Sequence, residues 1–134
     1  MIKSLQNGNK RRQPNKTMKD KLTAKSLRIG NLVNDMGSIP YQIQAIDIVY
    51  LQSSENKGKI NLDFNPIPLT PEWLERMGFA RGEINSWYNL GLFFSMNIQD
   101  NKFYFDSMVL PIKYVHQLQN LYFAIKNTEL EIEQ

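Results

Sequence analysis

His116 is the only histidine in the 134-residue chain, and there is no cysteine. The side chains that most often carry acid–base, nucleophilic and metal chemistry are therefore almost absent. A hydrolytic triad needs a base beside its nucleophile, and no serine or aspartate is spaced from His116 in a way that suggests one. Without thiols, disulfides and cysteine-ligated zinc are excluded. Glu72 and Glu75, three apart, lack the histidine of di-metal bundles and read as the solvated face of a short helix. The seven glycines are scattered and form no phosphate-cradling loop. No reaction, cofactor or metal site is named by these patterns, so the expected class is a non-enzymatic binding protein.

The residues suited to binding are unevenly placed. Lys3, Lys10, Arg11, Arg12, Lys16, Lys19, Lys21 and Lys25 face Asp20 alone within residues 1–26, a net charge of +7. The other eight basic residues meet twelve acids, a net charge of −4, which together give the chain's +3. A basic segment on an acidic body divides the work between polyanion search and folding. Lys10, Arg11, Arg12, Lys16, Lys19, Lys21 and Lys25 are the candidate contacts to RNA phosphates or to an acidic groove. A segment that only keeps the body soluble is the alternative reading.

Two further sets could meet a partner. His116, Asn120 and Phe123 recur at i, i+4 and i+7 and would form a patch of ring, amide and aromatic for protein contact. Against that, His116 could bond a neighbouring loop while Phe123 packs under the sheet. Trp87-Tyr88 and Phe103-Tyr104-Phe105 interleave aromatics near Lys102, as base-stacking platforms do. Aromatics on strands of an acidic body more often build a core.

These residues need elements to hold them. Residues 1–26 are expected to be a flexible basic arm, since Leu5, Met18 and Leu22 are too few to anchor a core; Thr17 could cap a short helix through Leu22 on binding. Residues 27–134 form one α+β domain. Strands are expected at 29–33 and 41–51, joined by the turn-forming Asn34-Asp35-Met36-Gly37, with a third at 59–64. Thr70 as N-cap, Pro71 at the first helical position and Gly78 at the end bound a helix whose buried stripe is Trp73, Leu74 and Met77. Strands follow at 87–90 and 92–98, with a bulge at Gly91, then at 102–106 and 108–112. Val115, Leu118, Tyr122 and Ile125 mark a helix over 114–126, and 129–132 reads as a short edge strand. The expected fold is a curled antiparallel sheet of five or six strands packed with two helices. No secretory signal or bilayer-spanning run is legible, so a cytoplasmic location is expected, without membrane contact.

Three blocks stand in order along this body: Leu27-Arg28-Ile29-Gly30-Asn31-Leu32-Val33; Pro66-Ile67-Pro68-Leu69-Thr70-Pro71-Glu72-Trp73-Leu74 with Gly78-Phe79; and the run from Lys113 to Ala124, KYVHQLQNLYFA. Together they resemble a family of small proteins encoded by bacteriophages and integrated prophages. The resemblance covers about residues 27–132 and leaves the basic arm outside it. It implies a phage accessory protein acting in the cytoplasm of a bacterial host. By association it further implies an anti-CRISPR inhibitor that binds an RNA-guided nuclease effector of type VI. A phage structural or assembly adaptor is the alternative it leaves open.

Overall fold

The computed structural model describes residues 22–56, 64–84 and 86–133. Lys10, Arg11, Arg12, Lys16, Lys19 and Lys21, with the expected helix from Thr17, lie outside the described residues. The first element among the described residues is a 3-10 turn at Ala24–Ser26, closed by the Ser26 hydroxyl, which accepts from the Thr23 N–H and donates to the Thr23 carbonyl. Leu22 before it is buried with Leu27, Val33, Ile43 and Leu51. The fold therefore starts ahead of Leu27. Leu22 anchors a core because that core is built from distant residues, which its polar neighbours do not reveal.

Leu32–Asn34 (β1) and Pro40–Gln42 (β2) form a two-stranded antiparallel sheet, with Val33 opposite Tyr41. Asp35 Oδ1 accepts from the Gly37 and Ile39 N–H groups, both at 2.9 Å, and so fixes the expected turn between them. The strand expected over 41–51 ends at Gln42, and Ala45–Asn56 is a helix, α1. Asp47 accepts from the Gln44 N–H and from the Tyr41 hydroxyl, each at 2.8 Å. It thus satisfies a donor at the helix start. Ile46, Ile48 and Val49 suit a strand by type, but the buried residues Ile43, Asp47 and Leu51 recur every fourth position. Of the strand expected at 59–64, residues 59–63 lie outside the described residues. Phe64 stacks on Tyr41 with centroids 5.1 Å apart, and Asn65 exchanges two backbone bonds with Asn34.

Pro71–Arg76 (α2) forms as expected. Thr70 Oγ1 accepts from the Trp73 N–H at 3.2 Å, and Gly78 leaves the helix at φ +94°. Leu74 and Met77 are fully buried, whereas Trp73 is half-buried under the Arg76 guanidinium, 4.0 Å from its ring centre. The tryptophan borders the core and does not fill it.

The larger sheet is a five-stranded antiparallel meander of Ala80–Arg81 (β3), Trp87–Leu90 (β4), Phe94–Asn97 (β5), Lys102–Phe105 (β6) and Met108–Leu110 (β7). Gly91 turns the chain and does not bulge it. At φ +64° it opens the 91–93 connection, and Leu90 pairs with Phe94 across it. The register aligns Tyr88, Met96, Phe103 and Leu110 on one face, and Asn89, Ser95, Tyr104 and Val109 on the other.

Val115–Lys126 (α3) covers the first of these faces. Gln117 Oε1 accepts from the Lys113 and Tyr114 N–H groups at 2.7 and 3.1 Å, and Asn127 ends the helix at φ 56°. Val115 and Leu118 pack with Leu74, Met77, Phe94, Met96 and Phe103 in the main core. Ile125, expected in the buried stripe, is 42% exposed. The architecture is α+β, as expected, and the described residues hold three α-helices in place of two and two sheets in place of one. Among the described residues, no helix is long and apolar enough to cross a membrane.

Candidate functional site

The three blocks noted in the sequence converge on α3. The middle block is joined by backbone bonds: the Val115 N–H donates to the Ile67 carbonyl at 2.9 Å, and the Leu69 N–H to the Lys113 carbonyl at 3.0 Å. The first block is joined by side chains. Arg28 Nε donates to Asn120 Oδ1 at 3.1 Å, and its terminal nitrogens form a forked ion pair with Glu129. The fully buried Asn31 donates from Nδ2 to Asn120 Oδ1 at 2.9 Å, and its Oδ1 accepts from the Arg28 N–H. Gln119 Oε1 accepts from the Leu32 N–H at 2.8 Å, and Asn120 Nδ2 donates to the Ser26 carbonyl at 3.2 Å.

This network decides what became of the proposed contact patch. Asn120 and Phe123 do come together, but around Arg28, whose guanidinium carbon lies 4.2 Å from the Phe123 ring centre. Their facing groups are engaged inside the fold. His116 stands apart, 3% exposed, with its ring stacked near that of Tyr114 at 5.9 Å. Its Nδ1 has no hydrogen-bond partner among the described residues, and burial lowers its pKa to about 4, so the ring is neutral at pH 7. Lys25, the one described member of the basic set, is exposed on the 3-10 turn.

No protein-family model matches the chain, and neither a curated protein nor a solved structure does.

The interleaved aromatics divide by face. Tyr88 and Phe103 enter the core, while Trp87 and Tyr104 meet on the opposite face with centroids 5.3 Å apart, in the company of exposed Lys102 and Asn89. A second surface was not legible in the sequence. A cavity of about 920 Å³ opens between α2 and residues 128–133. The edge strand expected at 129–132 is an extended strap outside both sheets. Arg76 Nε donates to the Glu133 carbonyl at 2.8 Å, the Glu133 N–H returns a bond to the Arg76 carbonyl at 2.7 Å, and Leu130 is buried between these anchors and the Arg28 ion pair. The only sequence signal for this cavity was the alternation of Glu129, Glu131 and Glu133 with Leu130 and Ile132.

Proposed function

We propose that the protein is a non-catalytic binding protein that attaches to a ribonucleoprotein through two surfaces of opposite charge. The observation that carries this reading is the split of +7 over residues 1–26 against −4 over the remainder. A cationic segment gains affinity for RNA by releasing counterions from phosphates. An acidic body is repelled by those phosphates but attracted to the basic protein surfaces that normally hold them. Leu22 in the core, and the bond from Asn120 to Ser26, root the basic segment beside α3. RNA held by that segment would therefore lie near the folded body.

The resemblance to phage and prophage proteins supplies the biological class: an inhibitor of host immunity acting in the bacterial cytoplasm on an RNA-guided nuclease effector of type VI. The test is to add the full chain to purified effector loaded with guide RNA. Co-elution and slowed cleavage of target RNA are expected. Unchanged elution and cleavage would overturn the nuclease assignment, and association with assembling virions would favour the adaptor role instead.

A further inference from the structure

We infer that the groove between α2 and residues 128–133 is the docking site for a basic polypeptide segment, extended and bearing apolar side chains. This rests on the reading of the acidic body as a protein-binding surface, and it names the place and the chemistry.

The floor of the groove is apolar, formed by Met77, Leu90, Tyr122, Leu130 and Ile132, and its rim carries Glu75, Glu129, Glu131 and Glu133. The strap alternates, with Leu130 buried and Glu129, Glu131 and Glu133 exposed. Glu129 is neutralised by Arg28. Arg76, the one cation among the described lining residues, is occupied by the Glu133 carbonyl and the Trp73 ring. Glu75, Glu131 and Glu133 form no ion pair among the described residues. The groove thus offers carboxylates above a greasy floor.

A lysine or arginine matches both features, laying its methylene stem along the floor and its charged head on the rim. Nucleic acid is repelled by the same carboxylates. The described residues hold no group of acids placed to bind a metal ion. A cavity of about 920 Å³ has room for several side chains. Because the strap is pinned near both ends, the groove is formed before a partner arrives, and little ordering cost opposes docking.

The test uses the full chain and a short fluorescein-labelled peptide of alternating lysine and leucine, followed by polarisation. Saturable binding that weakens with salt is expected. The triple variant Glu75→Lys, Glu131→Lys, Glu133→Lys should weaken it by at least about tenfold, with an unchanged melting temperature because all three side chains are exposed. Absent binding, or equal binding by the triple variant, would overturn the inference. So would binding that appears only after the basic residues of 1–21 are neutralised, since that assigns the groove to the chain's own segment. RNA binding measured on the same samples reports on the parent reading. The triple variant should retain it, and its absence from the wild-type chain would defeat that reading and leave the groove untouched.

Discussion

Arg28 and Phe123 form the joint between the first block of the fold and its last helix, with the guanidinium carbon 4.2 Å from the ring centre. The same guanidinium bonds Asn120 and Glu129, so one side chain gathers three residues far from it in sequence. Arg28 and Glu129 are both partly exposed, at 29% and 53%, so solvent screens much of their ion pair. Most of the joint's strength then comes from packing and from the bond to Asn120.

Arg28→Ala is expected to lower unfolding stability by about 2 kcal/mol in urea titrations, at the middle of the range for single substitutions. Arg28→Lys should recover only part of that, because an ammonium cannot reproduce the planar fork on Glu129 while stacked on a ring. Full recovery by lysine would reduce the joint to simple charge.

Asn31 is the polar residue at the bottom of this network and is fully buried. Its removal strands the Arg28 N–H and takes one of two donors from Asn120 Oδ1, which keeps its bond from Arg28 Nε. Asn31→Ala should cost about 1–3 kcal/mol, the penalty for buried groups left unpaired. Combining it with Asn120→Ala should cost less than the sum of the single changes, which a double-mutant cycle reads directly.

His116 makes stability depend on pH. Its folded pKa, about 4, lies below the ordinary 6.5 because burial penalises the charged ring. Between these values the unfolded chain binds a proton that the folded chain does not, so stability is full above pH 6.5 and falls as pH drops toward 4. The loss is on the order of 3 kcal/mol by that linkage. Urea midpoints taken across this window for the wild-type chain and for His116→Leu should diverge, with the variant lacking this component. Parallel curves would contradict a buried neutral imidazole.

The two neighbours at the start of α2 should differ in cost. Leu74 is fully buried in the main core, and Leu74→Ala is expected to cost about 2–5 kcal/mol. Trp73 is half-buried and capped by Arg76, so Trp73→Ala should cost less despite the larger side chain removed. Thermal melts of the two variants give the ranking, and the reverse order would move the tryptophan back into the core.

Local signals in the sequence were reliable where they had a local cause. Thr70, Pro71 and Gly78 bounded α2 because caps act within a turn. The period of Val115 and Leu118 found α3, and the strands around Trp87 and Phe103 were legible from alternation. The segment after Gln42 misled, since β-branched residues by type outweighed a helix start set by the Asp47 carboxylate. Gly91 is the second such case, because a bulge and a three-residue turn use the same left-handed glycine. The site was less legible than the fold. Asn120 and Phe123 share a helix face in sequence, but whether that face meets Arg28 or a partner is decided across a long separation. The groove likewise depends on the strap meeting Arg76, which no spacing encodes.

The central claim is that residues 1–26 bind a polyanion while the body does not. Its most direct test is the salt dependence of binding to a single-stranded RNA, for the full chain and for a variant with Lys10, Arg11, Arg12, Lys16, Lys19 and Lys21 changed to glutamine. For about six phosphate contacts, log affinity should fall against log salt with a slope near −4. In the variant, binding should nearly vanish while the melting temperature holds. Equal affinity and equal slope for the two proteins would contradict the account.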